Sequence, residues 1–265
     1  MPVIVRTPIR RLSQAEFGEL AYSVMQCVFQ IHREMGRFFD EKIYKRELAY
    51  RHPGVQLEVP IEVTHATFRT LQYIDVLVDG GGPFEFKAVE AITPRHPAQL
   101  LHYMFLAELD HGKLVNLRKD SVEHQFVNTT LQREDRVRFD VADSRWINKP
   151  VGAARFREVL TALLRDWGTG LDLKLYEEAV AHLLGGEAQL LADVEVRTPE
   201  HVLGHQKMRL AAPRVAFVLT ALPDASAEYE KHARRLLRHT ELDAILWANI
   251  GLKLVTFTTI SGEGL

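Results

Sequence analysis

"TLQYIDVLVDGGGPFEFKAVE", residues 70–90, decides the fold. Two apolar runs flank a glycine-rich turn, so the stretch reads as a β-hairpin. Side chains alternate across a strand, so Glu85 and Lys87 share one face while Phe84 and Phe86 take the other. A solvent-facing ion pair on an edge strand is the plain reading of Glu85 and Lys87. It does not explain why Asp75 interrupts the apolar run "YI-VLV" on the preceding strand. A turn centred near Gly81 sets Asp75 opposite Lys87 and Leu77 opposite Glu85. The spacing thus predicts Asp75, Glu85 and Lys87 on one face of neighbouring strands.

Outward from the hairpin, the preceding segment carries two helices. In "SQAEFGELAYSVMQCVFQIHREMG", residues 13–36, Ser13 and Glu16 form a capping-box pattern, the apolar residues recur at helical spacing, and Gly36 suits the stop. A second helix is expected over 38–51, with Glu41, Tyr44 and Leu48 on the stripe that faces the core. "QLEVPIEV" precedes the hairpin as a strand. A helix over 94–109 follows it, with prolines near its start where they are tolerated. On that helix Gln99 and Tyr103 are spaced i, i+4 and project together. "KLVNL" and "HQFVN" close the segment as strands, giving the order ααβββαβ(β).

Clustered carboxylates repel one another unless a cation sits among them. Oxygen ligands of this kind suit Mg²⁺ or Mn²⁺, which keep waters and bind substrate phosphate. A lysine beside such a site can orient or deprotonate water or neutralise charge on a phosphoryl transition state. The reaction class with these needs is metal-assisted hydrolysis of a phosphodiester.

The stretches "IHREMG", "DEKIYKRELAY", "YIDVLV", "FEFKAVEAITPRHPAQLLHYM" and "KLVNL" resemble the GxxExxY proteins of the PD-(D/E)XK nuclease superfamily, over about residues 28–128. Asp75, then Glu85-Phe86-Lys87, then Gln99 to Tyr103 is similar to the D…ExK…QxxxY set of recombination-type nucleases. The resemblance implies an α+β (α/β) chain with a restriction-endonuclease-like αβββαβ core. It implies Asp75 and Glu85 as metal ligands, Lys87 beside the water, and Glu41 as a helix carboxylate near the metal. Gln99 and Tyr103 would then position substrate. The first glycine of GxxExxY falls at Phe38, so the motif here reads "FFDEKIY", with Gly36 the nearest glycine. The implied activity is Mg²⁺- or Mn²⁺-dependent cleavage of DNA, with RNA as the alternative substrate.

The single cysteine, Cys27, rules out an intrachain disulfide framework and any cysteine-held iron–sulfur cluster. No apolar run approaches the roughly 18 residues of a membrane span, and "MPVIVRTPIRR" does not read as a secretory leader. A cytoplasmic protein is expected. The net charge is −2, and the first 140 residues hold 18 Lys and Arg against 19 Asp and Glu. That argues against coating nucleic acid by bulk charge and leaves room for a local groove. The charge balance keeps open a non-catalytic nucleic-acid-binding or protein-assembly module built on the same fold.

The chain is expected to divide into a nuclease-like domain over 1–140 and a second α/β domain over 141–265. The second half repeats the order: two helices, "LLADVEV", "LGHQKMRLA" and "RVAFVLTAL" as strands, a helix, then "AILWANI" and "KLVTFTTI". Laid over the first half, it puts Arg209 near Asp75, Val218 at Glu85, Thr220 at Lys87 and Arg235 near Gln99. It reads as a degenerate copy without a metal site. It is also the candidate surface for a protein partner and, through Arg209, Arg234, Arg235 and Arg238, for phosphate contacts.

Overall fold

The computed structural model describes residues 3–223 and 226–262. The chain separates into two compact units: 1–64 with 69–133, and 65–68 with 134–265. The boundary at 133/134 lies a few residues before the expected one.

The first unit holds β1 (Val3–Val5), α1 (Gln14–Met35), α2 (Glu41–Arg51), β2 (Val55–His65), β3 (Phe68–Val78), β4 (Gly82–Lys87), α3 (Arg95–Ala107), β5 (His111–Asn116) and β6 (Glu123–Asn128). α1 starts where the sequence indicates. Ser13 is its N-cap, the reciprocal Ser13–Glu16 box is formed, and Gly36 ends it at φ 75°. A cap of this kind stabilises a helix by about 1 kcal/mol. α2 begins at Glu41 rather than 38, with Asp40 as its N-cap. Phe17, Ala21, Val24, Val28 and Ile31 of α1 pack with Tyr44 and Leu48 of α2 against Val76, Val78, Phe84 and Phe86. Each such fully buried side chain contributes roughly 1.5–3 kcal/mol, and together they fix which face of the hairpin turns inward.

The sheet runs β1-β2-β3-β4-β5-β6. β3 and β4 are antiparallel, β4 and β5 parallel, and β5 and β6 antiparallel. In the hairpin Val76 pairs with Phe84, Leu77 with Pro83 and Val78 with Gly82. Continued one residue, this register sets Asp75 opposite Glu85, not opposite Lys87 as expected. The turn explains the difference. Asp79 and Gly80 both take positive φ, 48° and 67°, and the Gly81 amide donates to the Val78 carbonyl at 3.0 Å. The reversal is therefore centred on Gly80, one residue earlier than expected. A side chain at Gly80 would meet the Pro8 carbonyl oxygen 2.8 Å from its Cβ. A one-residue move of the turn shifts the pairing by two, which preserves alternation. Asp75, Glu85 and Lys87 still share a face.

The second unit holds α4 (Arg133–Arg136), β7 (Asp140–Arg145), α5 (Ala153–Trp167), α6 (Leu173–Leu184), α7 (Glu187–Leu190), β8 (Leu191–Arg197), β9 (Val202–Ala212), β10 (Val215–Thr220), α8 (Ser226–Arg238), β11 (Ala244–Ile250) and β12 (Leu254–Ser261). Its sheet order is β7-β12-β11-β10-β9-β8. β8 to β12 thus repeat the neighbours of β2 to β6, with β10 and β11 parallel as β4 and β5 are. Only the added strand differs: β1 joins β2, whereas β7 joins β12.

Two side-chain latches recur within this common order. The Tyr44 hydroxyl donates to the Gly36 carbonyl at 2.7 Å, tying α2 to the end of α1. The Tyr176 hydroxyl donates to the Gly168 carbonyl, again eight residues back, tying α6 to the end of α5. Asn116 accepts from the Val89 amide at 3.1 Å and donates to the Val89 carbonyl at 2.9 Å. Asn249 does the same to Leu222, at 2.7 and 3.0 Å and with the same separation of 27 residues. The ladder partner of Asn116 is Lys87, and that of Asn249 is Thr220. Lys87 therefore corresponds to Thr220 and Glu85 to Val218.

Asp75 does not correspond to Arg209. Ala216 pairs with Leu210, so two residues along Met208 stands opposite Val218. A register shift between Val215 and Ala216 makes the one-residue difference and turns Arg209 to the other face. There Arg209 pairs with Glu177 at 3.1 Å and Glu187 at 3.0 Å, so it is not a free phosphate contact. Arg235 likewise does not match Gln99. Burial of Leu100 and Met104 matches that of Ala233 and Leu237, which sets His232 at the Gln99 position. Arg234 is held by Glu230 at 2.8 Å, while Arg235 and Arg238 are exposed.

Candidate active site

Asp75 comes from β3, Glu85 and Lys87 from β4, Glu41 from α2, and Gln99 and Tyr103 from α3. All six line one cavity of about 350 Å³. Lys45, Glu58, Leu71 and Tyr73 line it too and were not singled out from the sequence. Lys45 had a signal: it lies i, i+4 from Glu41 on α2 and faces it at 3.3 Å. Glu58 had none. Its backbone takes φ 50°, a region that non-glycine residues rarely visit and that alternation cannot reveal.

The charges form two linked groups. Lys87 Nζ donates to Glu85 Oε1 at 2.5 Å and lies 4.0 Å from Glu41 Oε2. Lys45 Nζ donates to Asp75 Oδ1 and to Glu58 Oε1, the latter at 2.7 Å. The second oxygen of Asp75 accepts the Phe86 amide at 2.9 Å. Gln99 Nε2 donates to the Tyr103 hydroxyl at 3.4 Å. Glu85 Oε2 is buried and has no hydrogen-bond partner.

Burial sets the protonation of these groups. It pushes Glu85 up to about 7, with the like charges of Asp75 and Glu41 adding to the rise and Lys87 opposing it. Burial also raises Asp75, despite the Lys45 contact and the Phe86 amide, and raises Glu41, helped by Asp75. For Lys45 burial acts downward, but its contacts with Asp75 and Glu58 more than reverse it and the ammonium is retained. Lys87 is likewise raised on balance by Glu85. Burial raises the Tyr103 hydroxyl. Four carboxylates and two ammonium groups thus share one small space, and burial raises three of those acids, Glu85, Asp75 and Glu41.

Among the described residues, no group of three or more His, Cys, Asp or Glu side chains is set to hold a metal ion. Mg²⁺ needs fewer, since one or two carboxylates suffice beside waters and substrate phosphate. The unpartnered Glu85 oxygen next to Asp75 is the donor such an ion requires. The residues therefore fit a hard divalent cation.

Among the described residues the second unit shows no equivalent. Val218, Thr220 and Met208 stand where Glu85, Lys87 and Asp75 do, and Thr220 is tied up by Trp247 and Asn249 at 2.8 Å each. The position after the latching tyrosine, Lys45 in the first unit, is Glu177, which holds Arg209. No helix among the described residues is long and apolar enough to cross a membrane.

In comparisons with known proteins, residues 18–129 match the family model of the PD-(D/E)XK nuclease superfamily. No curated protein and no solved structure gives a match. The mixed sheet and its flanking helices agree with a restriction-endonuclease-like fold.

Proposed function

We propose, from the match of residues 18–129 to the PD-(D/E)XK nuclease superfamily model, that the protein is a Mg²⁺- or Mn²⁺-dependent nuclease that hydrolyses phosphodiester bonds of DNA. The observation that carries this reading is the buried, unpartnered Glu85 Oε2 beside Asp75 and Lys87. Asp75 and Glu85 would hold the ion, with Glu41 near it. The bound ion supplies acidification of a water and charge neutralisation at the phosphate. Lys87 stays protonated between Glu85 and Glu41 and is placed to hold the attacking water or a phosphate oxygen. Gln99 and Tyr103 offer an amide and a hydroxyl on the α3 side of the cavity for the substrate backbone. Glu41 and Tyr44 occupy the last two positions of the GxxExxY pattern, which supports placing the chain in that branch. The lone cysteine fits a cytoplasmic setting.

The second unit is, on this reading, a decayed copy of the first. The shared strand order and the two recurrent latches support it. Its role would be binding, of DNA or of a protein partner, without hydrolysis. The alternative is a non-catalytic nucleic-acid-binding or protein-assembly module on the same fold, and the convergence of Asp75, Glu85 and Lys87 on one cavity favours the enzyme. The test is incubation with linear, circular and single-stranded DNA in Mg²⁺, Mn²⁺ or chelator. Cleavage is expected with metal only. Cleavage that persists in chelator, or none under any condition, would overturn the proposal.

A further inference from the structure

Glu58 stands apart from the other acids of the cavity. Its side chain is more than half exposed, yet its carboxylate reaches the buried Lys45 ammonium at 2.7 Å. It does so from a backbone at φ 50° inside β2, two residues before Pro60. Such a conformation is unfavourable for a non-glycine residue and persists where surrounding structure enforces it. Lys45 meanwhile sits on Asp75 Oδ1, and Asp75 Oδ2 is already engaged by Phe86. A dication approaching Asp75 meets an ammonium in its way, and two like charges do not share one carboxylate oxygen at low cost.

We propose that Glu58 is a positioning residue that takes over the Lys45 ammonium from Asp75 when a divalent cation enters, leaving Asp75 free to hold the ion. This rests on the metal-dependent reading above. Glu58 is suited to the task because Lys45 already touches it, so the transfer needs a shift of one contact rather than a new rotamer across the cavity. Lys45 is 7% exposed and lies among Glu41, Glu58 and Asp75. The positive-φ backbone of Glu58 within β2 is then what aims an otherwise solvent-facing carboxylate inward.

The experiment is a Mn²⁺ titration by calorimetry, without nucleic acid, on the wild type, Glu58→Gln, Lys45→Met and the double variant. Far-ultraviolet circular dichroism checks folding, and Lys45→Gln replaces Lys45→Met if the latter does not fold. Glu58→Gln should weaken Mn²⁺ binding about tenfold, and Lys45→Met should tighten it by a similar factor, as expected for one charge removed from a half-buried site. In the double variant the Glu58 change should have little further effect, because its partner is gone. Equal weakening by Glu58→Gln with and without Lys45 would make Glu58 a ligand or a plain charge and overturn the proposal. So would weaker binding in Lys45→Met. A wild type that binds no Mn²⁺ would instead strike the metal-dependent reading, and this inference with it.

Discussion

Lys87 Nζ donates to one oxygen of Glu85 across 2.5 Å, while the other oxygen of the same carboxylate has no partner. A carboxylate held on one side by an ammonium and left open on the other is arranged to receive a second cation. The pair therefore joins the two halves of the proposed chemistry, ion binding through Glu85 and charge stabilisation through Lys87.

Lys87→Ala should reduce DNA cleavage by about 10²–10⁴-fold, the range for loss of a positioned proton-transfer or charge-stabilising group. The fold should survive, because Glu85 can take up a proton at neutral pH once its partner is lost. Cleavage of linear DNA in Mn²⁺ and a circular dichroism spectrum check the two halves. A variant that cleaves at the wild-type rate would remove Lys87 from the mechanism.

Glu85 makes stability depend on pH in a predictable direction. Its folded-state value of about 7 lies above the ordinary 4.5, so the folded protein binds the extra proton. Its contribution is fully present below about pH 4.5 and is lost as pH rises through about 7, a change of no more than about 3 kcal/mol. Asp75 and Glu41, raised as well, act in the same sense. In chelator, Glu85→Gln should flatten this slope and melt higher than wild type at pH 8. Thermal unfolding between pH 5 and 8 measures it, and an unchanged slope would refute the assignment.

Asn116 and Asn249 make the same two backbone bonds, but only Asn116 stands beside Lys87. Asn116→Ala should lower kcat at least tenfold by loosening the segment that follows Lys87, since small misplacements near a reacting centre cost up to about 10²-fold. Asn249→Ala should leave cleavage unchanged while costing comparable stability. Parallel activity and urea-unfolding measurements compare the two. Equal loss of activity would contradict the proposed division of labour.

Tyr44→Phe and Tyr176→Phe each remove a hydroxyl bond to a helix-ending glycine, and Tyr44→Phe also removes the acceptor of the Phe39 amide at 3.3 Å. Each should cost about 1 kcal/mol, read from denaturant unfolding. Neutral substitutions would mean that the bonds are incidental to holding the helix pair.

The acidic face of the hairpin was legible because strand alternation depends only on parity, and a two-residue shift leaves parity intact. α1 was legible from Ser13, Glu16 and Gly36, which satisfy local backbone groups and need no tertiary partner. Glu58 was not legible, because its inward aim depends on a backbone angle that its own residue type disfavours. Lys45 was readable from its place one turn beyond Glu41, but a lysine on a helix is usually solvated, so its residue type argues against a buried place. Arg209 was misplaced by one residue because a β-bulge changes parity, and nothing in "HQKMRLAA" announces one. The short edge strands β1 and β7 left no readable period, since β1 is only the three residues VIV and β7, DVADSR, mixes polar and apolar residues without alternation.

The Asn latch marks a separation between what carries the load and what carries out the reaction. Its two shared bonds go to main chain, and they form alike in both units although Asn249 also accepts from the Thr220 hydroxyl and Asn116 also donates to Glu123. The positions two and four residues before the held point are Lys87 and Glu85 in one unit and Thr220 and Val218 in the other, with both main-chain bonds kept. A scaffold pinned in this way can lose its chemistry one residue at a time and remain assembled throughout. By the same logic it could regain it, the acids and lysine being guests of a frame that does not depend on them.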